Sequence, residues 1–287
     1  MTVKLSDLRL TLALAAFAML GALAALAAQA KDWKKIVIAT EGGYAPYNMR
    51  TPEGKLVGFE IDLANNLCDR LKITCEFVAQ DWNGIIPGLT EGKYDAIMDG
   101  MSITPKRLDV IGFTAPYTVS PSTFAVMKDS PLAKLPDTGK RVSLDDKAAT
   151  DAAIADFTPM LKGKVIGVQI STIQADLLNT YLKGIATIRT YPTTEEHDLD
   201  LQAGRVDAAL ASTSYFVSTL SKPGGDQMVL AGPRFVGGLL GEGTGIGLRK
   251  SDTDLKEMLN TALAAAKADG TIKALSVKWF KTDISPP

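Results

Sequence analysis

The stretch Leu-Thr-Glu-Gly-Lys-Tyr-Asp-Ala-Ile-Met (89–98) is echoed by Leu-Gln-Ala-Gly-Arg-Val-Asp-Ala-Ala-Leu (201–210). Each phrase reads as the end of a helix, a glycine just past its last turn, and a short strand opened by Asp-Ala. The same alternation continues outward from the first copy. Ile36–Ala39 reads as a buried strand, and Phe59–Leu71 as a helix with an apolar stripe at Ile61, Leu63, Ala64, Leu67 and Leu71. Thr74–Ala79 is the next strand, Trp82–Thr90 a helix, and Ala96–Met98 a short strand. Around the second copy the pattern is a strand over 164–168, a helix over 172–181, a strand over 186–191, a helix over 196–203 and a strand over 207–211. Strands alternating with helices specify α/β architecture with crossover connections. The echo predicts two similarly built lobes. Between them, 129–163 is polar, shows no clear strand, and is expected to be an insertion with one or two short helices.

The first thirty residues carry a different signal. Lys4 and Arg9 precede an apolar run from Leu10 to Ala28, and Ala28-Gln29-Ala30 supplies a small-x-small cleavage pattern. This is the tripartite secretory signal, expected to be cut after Ala30. A membrane anchor is the competing reading of so long an apolar run. No cysteine lies near the cleavage site to take a lipid, and no later run is long enough to span a bilayer. The expectation is a free protein of the periplasm. With 31 basic and 32 acidic side chains the formal net charge is −1, which gives no basis for nucleic acid or a membrane surface as partner.

The two cysteines, Cys68 and Cys75, fall at the end of a predicted helix and the start of a predicted strand. In an oxidising compartment a disulfide there would staple the two elements, adding about 2–3 kcal/mol for so short a loop. A metal site would need further ligands, and the single histidine, His197, is distant in sequence. His197 itself reads as a solvated residue at a helix start. The glycines of 241–245 lack the Lys-Ser/Thr ending of a phosphate loop, so neither nucleotide nor any other cofactor is expected.

Gly-Tyr-Ala-Pro-Tyr (43–47), Gly-Phe-Glu-Ile-Asp-Leu (58–63), Asp-Trp-Asn-Gly-Ile-Ile-Pro-Gly-Leu (81–89), Met-Ser-Ile-Thr-Pro-Lys-Arg (101–107) and Gly-Thr-Gly-Ile-Gly-Leu-Arg-Lys (243–250) stand in one order along the chain. With Ala-Asp-Gly-Thr-Ile-Lys-Ala-Leu (268–275), they resemble periplasmic solute-binding protein family 3, the polar amino-acid binders of ABC importers. Trp82 and the Gly-Pro-Arg-Phe-Val-Gly-Gly-Leu segment (232–239) are most similar to the octopine- and nopaline-binding subgroup, then to lysine/arginine/ornithine binders. The resemblance implies the type II periplasmic-binding-protein fold, with two α/β sandwich lobes joined by a two-strand hinge. Lobe one would hold 31–123 plus 233–287 and lobe two 128–228. The hinge strands would be 124–127 and 229–232. The partner implied is an inner-membrane ABC permease, and the protein is expected to be a monomer.

The resemblance also assigns candidate ligand contacts. Thr104 and Pro105 suit an N-cap and a first helical position, which puts Lys106 and Arg107 where the helix dipole disfavours cations by a few tenths of a kcal/mol. A bound carboxylate would relieve that, and the family holds its ligand's α-carboxylate with the residues matching Arg107 and Ser102. A surface ion pair of Arg107 with Asp109 or Asp69 is the bland alternative. Tyr44 and Trp82 match the aromatics that flank the ligand's side chain, adding about 0.5–2 kcal/mol of cation–π attraction for a cationic one. Glu41 matches the acid that meets its distal charge. Gln169, Ser171 and Thr172 precede a helix whose N–H groups would receive the second carboxylate oxygen. Ile173 departs from the family by replacing a hydroxyl residue.

A larger departure is Ser212, which stands where α-amino-acid binders carry the Asp that pairs with the ammonium group. Asp99, before Gly100 and Met101, would supply that charge, meet a guanidinium, or be satisfied by backbone N–H groups. The function implied is a receptor that closes over a basic amino acid or opine. A periplasmic dehydratase on the same fold, using Glu41 or Asp99 as general acid, and a ligand sensor acting through a membrane partner are the alternatives.

Overall fold

The computed structural model describes residues 31–286, so the expected signal peptide and its cleavage site lie outside the described residues. Within the compact unit beginning at Lys34, strand β1 (Lys35–Thr40) organises the first sheet. Its β-branched Ile-Val-Ile run is suited to burial on both faces, and Ile36, Ile38 and Ala39 are buried. A small antiparallel sheet follows: β2 (Gly43–Tyr44), β3 (Asn48–Arg50) and β4 (Leu56–Val57). Helix α1 (Phe59–Leu71) then leads to β5 (Thr74–Ala79), which runs parallel to β1 from Lys35↔Thr74 to Thr40↔Ala79. Gly58, at φ 136°, opens α1 because a Cβ there would lie 2.4 Å from the Tyr47 carbonyl oxygen. Cys68 of α1 and Cys75 of β5 form a disulfide, with Cα atoms 5.9 Å apart.

Helix α2 (Trp82–Thr90) returns the chain to β6 (Ala96–Ile97) on the other side of β1. A single turn, α3 (Pro105–Leu108), precedes β7 (Gly112–Phe113). The second sheet contains β8 (Ser122–Met127), β9 (Arg141–Ser143), β10 (Val165–Gln169), β11 (Thr187–Tyr191), β12 (Ala208–Ser212) and β13 (Met228–Val236), in the order β11-β10-β12-β8-β13-β9. Helices α4 (Lys147–Leu161), α5 (Ile173–Tyr181), α6 (Thr194–Gln202) and α7 (Thr213–Leu220) connect its strands. The chain returns to the first sheet as β14 (Gly247–Leu248), between β6 and β7. Helices α8 (Thr253–Ala268) and α9 (Thr271–Phe280) pack on α1. The result is the two-lobed α/β fold, one large sheet to each lobe, with the small β2–β4 sheet beside the first.

The echoed phrases occupy equivalent places. Asp95 donates its N–H to the Val37 carbonyl at 2.8 Å and accepts the Val37 N–H on Oδ2 at 3.0 Å. Asp207 does the same with Val165, at 2.8 Å in both directions. Each aspartate closes the first rung between its strand and the neighbour, which is why Asp opens both strands. The segments 124–127 and 229–232 lie inside β8 and β13, where Val126 is opposite Val229 and Phe124 is opposite Ala231. The chain passes between the two sheets over 114–121 and 237–246, and Thr118 bridges Thr244 there.

Two expectations are corrected. Residues 129–163 contain a strand, β9, parallel to β13, and α4 has 15 residues rather than being a short helix. Its buried stripe is Thr150, Ala153, Phe157 and Leu161, a sparse helical period that the polar composition hides. His197 is fully buried, not solvated. Helix α6 turns Thr194, His197, Asp198 and Leu201 inward, and Tyr191, Tyr215 and Phe216 surround the imidazole. Gly167 of β10 leaves the room, since a Cβ there would lie 3.0 Å from that of His197.

Candidate functional site

In each sheet one strand has neighbours whose connections leave in opposite directions, and such switch points open a crevice at the strands' carboxyl ends. β1 lies between β5 and β6, and β10 between β11 and β12. The residues just beyond or at those ends are Glu41 and Asp99 in one lobe, Gln169 and Ser212 in the other. All four line one cleft, together with Tyr44, Trp82, Gly100, Ser102, Arg107 and Thr172. Hydrogen bonds join its two walls. Tyr44 Oη lies 2.6 Å from Ser212 Oγ, and Tyr47 Oη 2.8 Å from Ser214 Oγ. Gln169 Nε2 donates to Glu41 Oε2 at 2.9 Å, and Ser171 Oγ donates to Asn83 Oδ1 at 3.0 Å.

Arg107 is the cationic side chain of the lining. Thr104 caps α3 by accepting the Arg107 N–H at 3.3 Å, and Pro105 occupies the first position. The helix is only four residues long, so it contributes little dipole and the guanidinium itself carries the attraction for an anion. Arg107 Nη1 donates to the Ser102 carbonyl at 2.9 Å, and its guanidinium carbon lies 5.2 Å from the Trp82 ring centroid. Among the described residues Arg107 makes no ion pair, with Asp69, Asp109 or any other acid; its neighbour Lys106 pairs with Asp176 at 3.4 Å. Burial pulls the Arg107 pKa down to about 10, partly offset by the charges of Asp176 and Asp99. A desolvated cation without a counter-ion is a site for an anion.

Acids share the lining with it. Asp99 is 2% exposed and accepts on Oδ1 from the Glu41 N–H at 3.0 Å, Asn48 Nδ2 at 2.9 Å and Thr40 Oγ1 at 3.4 Å. Its Oδ2 is buried without a partner. Burial, then the charges of Glu41 and Glu60, raise its pKa well above the usual carboxylate range. Glu41 is pushed up to about 7, first by burial, with the Gln169 hydrogen bond opposing. Backbone and Asn48 thus satisfy one oxygen of Asp99 and leave the other over.

The second lobe presents the start of α5. Thr172 Oγ1 accepts the Ala175 N–H at 3.1 Å and donates to the Gln169 carbonyl at 2.7 Å, so it caps the helix. Ile173 and Gln174, whose N–H groups belong to the helix's first turn, line the cleft. Ser212 is heavily engaged: its Oγ meets Tyr44, Ser214 at 3.2 Å and the Tyr215 N–H at 3.3 Å. Tyr44 lines the cleft, yet its ring also packs in parallel against Tyr47 and Tyr215, with centroids 5.0 and 5.1 Å away. Gly100 makes this possible, because a Cβ there would meet the Tyr44 ring at 2.7 Å.

Two expected residues stand apart. Met101 is fully buried in the core of the first sheet with Ile97 and Ile111, and does not line the cleft. Ser171, at φ 61°, is exposed at the rim, where it bridges to Asn83. Sequence reasoning missed the hydroxyls of Ser120, Thr194 and Thr244 in the lining, and Asn48 and Glu60 behind it. Thr244 sits within a glycine-rich run that contributes to the family resemblance and is rejected as a phosphate loop, with no ligand role expected for its hydroxyl.

Comparison with known proteins agrees with this architecture. The model of the bacterial extracellular solute-binding proteins, family 3, matches residues 36–282. The octopine-binding periplasmic protein of Rhizobium meliloti is 44% identical, over 93% of this chain and 98% of its own length. The histidine-binding periplasmic protein of Salmonella typhimurium strain LT2 is 38% identical, over 91% and 93%. Among solved structures, an ancestral arginine-binding protein bound to arginine superimposes with a TM-score of 0.73 at 29% identity, covering 86% of this chain and 98% of that one. With the match spanning nearly all of both lobes, this chain belongs to the bacterial extracellular solute-binding proteins, family 3.

Proposed function

We propose that this protein is the periplasmic receptor of an ABC importer for a basic amino acid or an opine-type derivative. The observation that carries the reading is the charge pattern of the cleft. A desolvated guanidinium without an ion pair among the described residues, Arg107, shares the lining with the carboxyl groups of Glu41 and Asp99. A solute with a carboxylate and a side-chain cation complements both kinds of group, whereas one with a neutral or acidic side chain leaves Glu41 without a cationic partner.

In this reading Arg107 binds the ligand carboxylate with a bidentate fork, and Ser102 with the first turn of α5 takes its remaining lone pairs. Trp82 gives an apolar wall for the aliphatic stem. Glu41 receives the distal cation, and Asp99 Oδ2 takes the amine that Ser212, already bound to Tyr44, is poorly placed to hold. The relatives named above are octopine- and histidine-binding proteins, which supports a solute receptor rather than an enzyme. Ligand bound between the lobes favours their approach by contacting both, and the closed form is the one presented to the permease. Export with cleavage after Ala30 and action as a monomer belong to the same reading. The lobe boundaries expected at 123/124 and 232/233 move to the crossings at 114–121 and 237–246, because β8 and β13 lie wholly in the second sheet.

The test is a thermal-shift screen with octopine, nopaline, arginine, lysine, ornithine and histidine, because a ligand present far above its Kd raises the melting temperature. At least one of these is expected to stabilise the protein, with glutamate inert. Stabilisation by glutamate alone, or by none of the cationic solutes, would reject the reading.

A further inference from the structure

Behind the cleft lies a carboxyl group that ligand contact leaves unused. Glu60, in the first turn of α1, is fully buried and is not part of the cleft lining. Its Oε1 accepts from the Gly100 N–H at 2.8 Å and from the Tyr117 hydroxyl, and its Oε2 accepts from Asn48 Nδ2 at 2.8 Å. The same Asn48 nitrogen donates to Asp99 Oδ1 at 2.9 Å, while Asn48 Oδ1 is fixed by the Gly42 N–H at 2.9 Å. One amide therefore bridges two buried carboxyl groups. Every hydrogen bond to Asp99 falls on Oδ1, which leaves Oδ2 as the free oxygen of a cleft residue.

Three acids so close together, away from bulk water, repel one another strongly enough that they cannot all ionise at neutral pH. Other charges do not relieve them. Glu195 of α6 and Asp81 before α2 add to the repulsion on Glu41, alongside Glu60. Arg107 is the cation whose field reaches Asp99, and Asp176 of α5 shares it. The phenols of Tyr44, Tyr47, Tyr94 and Tyr117 are neutral, since burial holds each above its ordinary value.

We propose that Asn48 and Glu60 are positioning residues that set the aim and proton content of Asp99, so that a cationic ligand group replaces a proton held among Glu41, Glu60 and Asp99. The inference rests on the reading of the cleft as a binder of cationic solutes. On binding, a carboxyl O–H gives its proton to the buffer, and the ligand's N–H takes the oxygen. The sign follows from linkage. The bound cation favours the ionised acids, so affinity rises with pH and falls as the cluster is protonated. Glu41, pushed up to about 7, puts the change at and just below neutrality.

The experiment is calorimetric titration of the full mature protein with L-arginine and octopine, in buffers of different ionisation enthalpy, from pH 5 to 8. Wild type is expected to release protons on binding, with Kd weakening about tenfold per pH unit below the midpoint if one proton is exchanged. Glu60→Gln removes one charge and is expected to move the midpoint to lower pH. Glu60→Asp keeps the charge and should leave the midpoint near the wild-type value, even if affinity drops. Binding without proton release in wild type overturns the inference, with no variant needed, and leaves the cationic-solute reading standing. A loss of affinity in Glu60→Gln that is uniform with pH gives Glu60 a merely structural role and overturns it as well. Failure of wild type to bind either solute or any other in the cationic panel overturns the reading beneath it.

Discussion

At the residue scale, Arg107 and Asp99 are costly to bury, and each keeps hydrogen-bonding capacity that the protein does not use. A guanidinium with one hydrogen bond, to a carbonyl, keeps most of its donors for something else. Replacing Arg107 by Ala should weaken the binding of a carboxylate ligand by about 2–5 kcal/mol, the range for removing one partner of a buried charge pair. Calorimetry checks this, and an unchanged affinity would take Arg107 out of the site. Much of the site was legible in the sequence, because Ser-Ile-Thr-Pro-Lys-Arg (102–107) encodes a cap, a helix start and a misplaced cation together. Asn48 and Glu60 were not legible. Their role comes from convergence of β3, α1 and the end of β6 on one point, and neither residue type is unusual at its place in the sequence.

At the element scale, the echoed helix–glycine–aspartate phrases show how local chemistry sets the layout. A left-handed glycine ends the helix, at φ 78° for Gly92 and 68° for Gly204, and the following Asp locks the next strand to its neighbour. Long elements with strong periodicity, such as α1 and β5, were readable for that reason. β9 was not, since three residues with one buried side chain carry no period and take their conformation from β13. His197 was misread because charged neighbours on α6 mask the inward face made by 194, 197, 198 and 201. The Cys68–Cys75 disulfide ties α1 to β5 across a separation of seven residues. Replacing both cysteines by serine should cost about 2–3 kcal/mol in chemical denaturation, with the fold retained. No change in midpoint would mean that the β1–β5 ladder and the packing of α1 hold this edge unaided.

At the scale of the whole molecule, the two lobes meet through side chains that line the cleft or neighbour those that do. Glu41 with Gln169, Tyr44 with Ser212 and Tyr47 with Ser214 each join one wall of the cleft to the other. In the proposed reading, ligand recognition and lobe approach are therefore coupled through shared residues, and the paired segments around Thr118 and Thr244 are where the chain crosses between the sheets. Central to the proposed function is recognition by this cleft of a carboxylate and a cation in the same solute. The most direct test is calorimetric titration of the protein with arginine and with agmatine, which keeps the guanidinium and lacks the carboxylate. Arginine should bind at least about thirtyfold more tightly, matching a loss of about 2 kcal/mol or more at Arg107. Agmatine binding as tightly as arginine would contradict the account.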